Sequence, residues 1–213
     1  MIKEGNGILN KIIKYDEDDI HLKFETNNKV FSPKGIDRGT LSMLSVLDLA
    51  SDDKVLDIGC GYGFVGIYIS QFINPDRITM SDISEDAITL AKLNSELNGI
   101  QDIKIVRSDG FNNIEESGFS IILSNPPYHE DFSVPKKFIE EGYKKMIVGG
   151  KLYMVTKRRE WYKNKLISVF GGTKIIEING YYVFISEKKA YQHTSKKQKD
   201  NHLSKKLFRK YKK

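Results

Sequence analysis

From residue 53 onward, short apolar runs alternate with amphipathic stretches, the pattern of βαβ units joined into a parallel sheet. Lys54–Ile58, Arg77–Asp82, Ile103–Val106, Phe119–Leu123 and Lys151–Thr156 read as strands. Helices are expected over Phe64–Ile73, Pro135–Ile147 and Trp161–Phe170, and between Ser84 and Gly99. Ser84 suits an N-cap, and Glu85 and Asp86 fall where carboxylates favour the helix dipole. Ala87, Leu90, Ala91, Asn94 and Leu97 share one helical face, with Gly99 as the stop. The run TKIIEI-NG-YYVFIS predicts a closing hairpin through Asn179-Gly180, because Asn-Gly between apolar runs favours the tight turn two strands need. The expected fold is therefore α/β: a mostly parallel seven-stranded sheet ending in a C-terminal antiparallel hairpin, with helices on both faces. Ahead of it, Ile20–Phe24 and Lys29–Phe31 flank Thr26-Asn27-Asn28 and predict a small hairpin, and Gly39–Leu49 a helix. Residues 1–187 then form one domain (1–50 hairpin and helix, 51–187 sheet core), followed by a tail at 188–213. There is no internal repeat.

Hydrophobic residues are 39% and charged residues 29% of the 213, which allows a packed core and argues against wholesale disorder. No apolar run approaches the ~20 residues of a membrane span. The first residues, MIKEGNGILNKIIKYDEDD, lack the basic and then apolar order of a signal peptide. The one cysteine, Cys60, excludes an internal disulfide framework and fits a reducing cytoplasm. His21, His129, His193 and His202 show no metal-ligand spacing, so no metal is expected. A monomer is the favoured state. Charge is unevenly spread: residues 188–213 hold eleven Lys/Arg against Asp200, a net of +10, while the other 187 carry 23 basic and 27 acidic side chains, a net of −4.

The first core strand runs into VLDIGCGYG, residues 55–63. Asp57 lies near the strand end, and Gly59, Gly61 and Gly63 let backbone approach a ligand at the carboxyl edge, where open α/β sheets bind theirs. Gly61 to Gly66 also satisfies the dinucleotide pattern G-x-G-x-x-G, which by itself is weak. Asp57 tells against that reading, since a carboxylate sits badly beside a pyrophosphate. The order D-x-G-x-G resembles motif I of the class I methyltransferases, a Rossmann-like fold that binds S-adenosylmethionine (SAM). The resemblance places Asp57 on the amino group of the methionine moiety. Asp82, ending the second strand, can accept from ribose hydroxyls under either reading. Asp109, after the third, is placed to bond the adenine amino group, with Phe111 as a packing face.

The fourth strand runs directly into Asn125-Pro126-Pro127-Tyr128. Consecutive prolines fix the backbone and remove N–H donors, so the Asn125 side chain and the Pro126 carbonyl can face a substrate as acceptors. An exocyclic or amide nitrogen needs such acceptors, because its lone pair is delocalised and charge develops on it during alkylation. Tyr128 can stack on a planar target and align it. The motif resembles the [DNS]-P-P-[YFW] of amino-methyltransferases acting on adenine N6, guanine N2 or a protein glutamine, and does not separate them.

Two further stretches narrow the resemblance. VFSPKGIDRGTLSML (Val30–Leu44) and NPPYH with His129, taken with VLDIGCGYGFVGI, resemble the small-subunit rRNA guanine-N2 methyltransferases of the RsmC type over about residues 20–187. The resemblance implies SAM as donor, S-adenosylhomocysteine as product, and a guanine N2 acceptor in 16S rRNA or the small ribosomal subunit. It implies a cofactor site of Asp57, Gly59, Cys60, Gly61, Asp82, Ile83, Asp109, Gly110, Phe111, Asn125 and Thr40. Phe31, Asp37, Tyr128 and His129 fall to the substrate, Asn125 to Tyr128 to catalysis, and Gly39 to the pocket lining. Better-known members carry an additional domain before the catalytic one, and this chain matches the catalytic part. Adenine-N6 or glutamine-N5 methylation, and a catalytically silent SAM- or RNA-binding module, are the alternatives.

In the tail, Leu203, Leu207 and Tyr211 recur every four residues beside Phe208, and Asp200 could cap a short helix. Such a segment could neutralise RNA phosphates while its aromatics stack on bases. Its small apolar face makes a membrane-surface helix the weaker alternative.

Overall fold

A computed structural model of the chain describes residues 11–127 and 132–190. Its main sheet has seven strands in the order β5-β4-β3-β6-β7-β9-β8. Val55–Ile58 (β3), Ile78–Asp82 (β4), Lys104–Arg107 (β5), Phe119–Ser124 (β6) and Met146–Thr156 (β7) run parallel. Lys174–Ile178 (β8) and Tyr181–Glu187 (β9) close the sheet antiparallel. The expected α/β fold is the fold observed. Asn179 and Gly180 take φ of 52° and 77°, the left-handed pair that a two-residue hairpin turn demands.

Helices cover both faces. Arg38–Leu44 (α1), Phe64–Ile69 (α2) and Glu85–Leu97 (α3) pack on one, Ser133–Lys145 (α4) and Glu160–Phe170 (α5) on the other. The strands divide their side chains accordingly. In β7, Tyr153 and Val155 join the first core, while Leu152 and Met154 join the second. Ser84 caps α3 by accepting from the Ala87 N–H. Leu97, expected on the buried face, is exposed, and Ile88 and Ser95 are buried instead. α2 stops at Ile69, four residues short of expectation, where the Ser70 hydroxyl turns back to the Ile67 carbonyl and competes with the helical ladder.

The N-terminal hairpin differs from expectation. Ile20–Thr26 (β2) pairs with Lys11–Glu17 (β1), not with residues 29–31. Its turn lies at Asp18-Asp19, where Asp18 adopts a φ of 47° that Asp tolerates better than most residues. Thr26-Asn27-Asn28 does form a turn, with Asn27 Oδ1 accepting from Lys29 N. No strand follows it, because residues 29–36 run on along the mouth of a cavity. Asn94 of α3, fully buried, joins this hairpin to the core. Its Oδ1 accepts from Glu25 N, and its Nδ2 donates to the carbonyls of Glu25 and of Tyr62 in the glycine-rich turn.

Candidate functional site

A cavity of about 320 Å³ opens at the carboxyl edge of β3, β4 and β6, within the size range of small-molecule sites. Its floor is the turn after β3. Gly59, Gly61 and Gly63 take φ of 78°, 55° and 92°, where a side chain would be strained. The turn is tied to β4: Gly59 N and Cys60 N donate to the Ser81 carbonyl at 2.8 and 2.9 Å, and Gly61 N to Asp82 Oδ2 at 2.9 Å. A Cβ on Gly61 would project into open space, and on Gly59 would meet only Phe138 within 4 Å. Gly66, last glycine of the dinucleotide-type pattern, serves packing: a Cβ there would lie 2.4 Å from Met80 Sδ.

Asp57 sits on β3, an inner strand, 3% exposed, and its Oδ2 has no hydrogen-bond partner among the described residues. Burial first, and the Asp82 charge second, push its carboxyl up to about 7, against a lowering hydrogen bond from Gly66 backbone. A buried, unpartnered acceptor lining a cavity is the feature a bound ammonium group would satisfy. Asp82 is differently placed. Both its oxygens accept backbone N–H groups, from Gly61 and from Ser84 at 2.9 Å each. Cys60 lines the cavity as a buried thiol whose pKa burial raises, then the charges of Asp57 and Asp82, so it is no nucleophile.

Asn125 follows β6 and lines the cavity beside Pro126 and Pro127. Its Nδ2 donates to Asp37 Oδ1 at 2.8 Å and to Thr40 Oγ1 at 2.9 Å. A carboxylate only accepts, so the nitrogen must face Asp37, and the amide oxygen lies on the other side. Asp37 is itself the N-cap of α1, its Oδ1 accepting from Thr40 N at 2.9 Å. An N-cap and a side-chain clamp thus share one oxygen.

Thr40, Phe31, Asp37, Ile83, Asp109 and Gly110 also border the cavity. Ile83 is 62% exposed and Phe31 49%, both at the mouth. The Asp109 carboxylate meets Lys137 Nζ at 3.2 Å, and its carbonyl meets the same nitrogen at 3.1 Å. Two expected positions fall elsewhere. Phe111 is 5% exposed in the second core, and lies outside the cavity lining. Its side chain turns under the sheet, and the aromatic from that side that reaches the cavity is Phe138 of α4. Gly39 also lies outside the lining, packed on Tyr181. Tyr128 and His129 lie outside the described residues, as does the tail beyond Ala190. Val134 and Phe138, which sequence reasoning missed, line the cavity from one face of α4. Their i, i+4 spacing directly after the acceptor motif was the available signal.

Among the described residues no helix is long and apolar enough to cross a membrane, and no cluster of ligating side chains could hold a metal. The family model for the methyltransferase small domain matches residues 21–186. The Bacillus subtilis protein YbxB is 29% identical over 171 residues, 78% of this chain and 85% of that protein. Ribosomal RNA small subunit methyltransferase C of Serratia proteamaculans is 32% identical over 177 residues, 81% of this chain and 49% of the relative. The chain thus spans about half the length of that relative. Among solved structures, the 16S rRNA N2 G1207 methyltransferase (RsmC) of T. thermophilus, in complex with AdoMet and guanosine, superposes with a TM-score of 0.78 at 22% identity. The match covers 85% of this chain and 51% of that one.

Proposed function

The chain belongs to the methyltransferase small domain family, and on that premise we propose that it transfers a methyl group from SAM to the exocyclic N2 of a guanine in small-subunit rRNA. The observation that carries this reading is the clamped Asn125 amide, held with its oxygen away from Asp37 and Thr40 at the edge of a cavity that is also lined by Asp57, whose Oδ2 has no partner among the described residues. The activities for which the Serratia and T. thermophilus relatives are named support the choice of guanine and of 16S rRNA.

Asp57 would hold the cofactor's amino group, Asp82 its ribose hydroxyls and Asp109 its adenine amino group, while Gly59 and Gly61 let backbone lie against it. When bound, SAM supplies an electrophilic methyl group on a sulfonium. The chain's own contribution is at the acceptor. Guanine N2 is a poor nucleophile because its lone pair is drawn into the ring. The Asn125 oxygen and the Pro126 carbonyl, accepting its two hydrogens, favour pyramidal nitrogen and stabilise the positive charge that develops there. They also fix the nitrogen in line for displacement. The bonding pair of the broken S–C bond would leave with S-adenosylhomocysteine, and the methylated nitrogen would lose one of its two hydrogens as a proton to water. Tyr128 would stack on the base. Cys60, buried and protonated, takes no part.

The test is label transfer from methyl-labelled SAM to unmodified small subunits and naked 16S rRNA, with nucleoside analysis of the product. N²-methylguanosine is the expected product. N6-methyladenosine, or label in protein, would overturn the guanine assignment. Asn125→Ala should abolish transfer while SAM still binds, and retained turnover would overturn the mechanism.

A further inference from the structure

We propose that the loop joining β7 to α5, Lys157–Arg159, and the aromatic stack beside it form the surface on which single-stranded RNA flanking the target base docks. This rests on the reading of the cavity as an RNA-acceptor site.

The location follows from register. β6 and β7 are parallel neighbours with Ser124 opposite Met154. Asn125 therefore leaves one strand, and Lys157 the next, at the same edge of the sheet. Phe132, the first described residue after the acceptor segment, stacks on Trp161 with centroids 4.3 Å apart and planes 12° apart. The described residues that flank the acceptor segment, Asn125 and Phe132, thus both lie at the end of the sheet that carries this loop.

The chemistry is that of a single-strand binder. Lys157, Arg158 and Arg159 are consecutive, exposed cations, each set over a ring. Lys157 Nζ lies 4.9 Å from the Tyr181 centroid, Arg158 Cζ 5.1 Å from Phe132 and Arg159 Cζ 6.0 Å from Tyr182. A cation held on a ring keeps its charge for a phosphate. Arg158 lies over Phe132, and Phe132 stacks on Trp161, a cation and paired rings of the kind on which bases stack. Lys157 makes no ion pair among the described residues, and the Arg159–Glu160 pair is exposed and so weak.

Three other cations near the cavity face acids: Lys29 with Asp86, Arg107 with Glu85, and Lys137 with Asp109. The basic tail begins at the opposite edge. Glu187 pairs with Lys151, whereas Tyr182 pairs with Thr156 at the cavity end, five residues or about 17 Å away along the strand. Lys188 N then bonds the Gly150 carbonyl at 2.9 Å. In a chain whose first 187 residues carry a net of −4, the loop sets three consecutive cations at the sheet edge from which the acceptor segment leaves.

Trp161 is the only tryptophan, so its emission reports directly on this surface. The full chain is titrated with an unstructured 12-nucleotide RNA at several salt concentrations. Quenching is expected. In Lys157→Gln/Arg159→Gln, affinity should fall about tenfold, and the slope of log affinity against log salt should shrink by about 1.4, two phosphates' worth. SAM affinity and melting temperature should stay as in the parent, and KM for RNA should rise in proportion. Unchanged affinity and slope in the variant, unmoved Trp161 emission, or polyglutamate quenching as well as RNA does would each overturn the proposal. If the variant loses RNA while the parent forms no N²-methylguanosine, the docking surface stands and the acceptor reading fails. If parent and variant form N²-methylguanosine equally at equal KM, the acceptor reading stands and the docking surface fails.

Discussion

Asn125 Nδ2 donates to Asp37 Oδ1 at 2.8 Å across 88 residues of sequence, and the same oxygen accepts Thr40 N at 2.9 Å. The group that starts a seven-residue helix therefore also decides which way the acceptor amide points.

Replacing that oxygen separates the two roles. Asp37→Ala should lower methyl transfer by about a hundredfold, the cost of a misplaced acceptor. It should also remove about 1 kcal/mol of helix cap. Asp37→Asn keeps one acceptor oxygen for both donors and should retain most activity. SAM affinity, read calorimetrically, should change little in either. An inactive Asn variant with normal stability would show that the negative charge matters, and not the acceptor.

SAM binding should depend on pH through Asp57. Its carboxyl titrates near 7, and an ammonium partner favours the ionised form. Below about pH 7, binding must expel a proton, so Kd should rise toward tenfold for each pH unit. Above about pH 8 this dependence should flatten. Calorimetry at about pH 6 in buffers of different ionisation enthalpy should register the released proton.

The same group should cost stability. Because the folded pKa lies above the ordinary 3.8, the folded chain binds an extra proton between about pH 4 and 7. Stability from this group is thus greatest at the acid end of that window and is lost as pH rises through about 7. Asp57→Asn should raise the melting temperature at about pH 8 by at least about 4 °C, with a smaller gain at about pH 5, while abolishing SAM binding. Equal gains at both pH values would assign the effect to something other than ionisation.

Gly39→Ala should damage the site through packing. The new Cβ would lie 2.7 Å from Tyr181 ring atoms and 2.9 Å from Asp37 Oδ1. Overpacking of this kind costs about 1–3 kcal/mol, and displacing Asp37 should lower turnover at saturating SAM. Adding Tyr181→Ala should not restore turnover, since it relieves the ring contact and leaves the Asp37 contact in place.

The sheet was legible because its signals are local: apolar runs, the Ser84 cap, and Asn179-Gly180 each act over a few residues. Asp57, Gly59, Gly61 and Asn125 were legible for the same reason, each lying at a strand end where the topology fixes its direction. What escaped depends on contacts distant in sequence. Nothing near Asp37 announces that it holds Asn125. Phe111 and Phe138 are interchangeable by composition, and only the packing of α4 decides which reaches the cavity. The N-terminal hairpin was misplaced because Thr26-Asn27-Asn28 has turn chemistry, yet the better partner for β2 precedes it.

Asn94 makes that hairpin indispensable. Its amide joins β2 to the carbonyl of Tyr62 in the cofactor turn, and a buried amide stripped of partners is costly. The smallest piece able to fold would therefore not be the parallel sheet alone. A fragment begun at residue 29, which keeps α1 and lacks the strand pair, should purify as aggregate, and one begun at residue 11 should melt in a single step. The small strand pair that looks like an accessory is part of the irreducible unit.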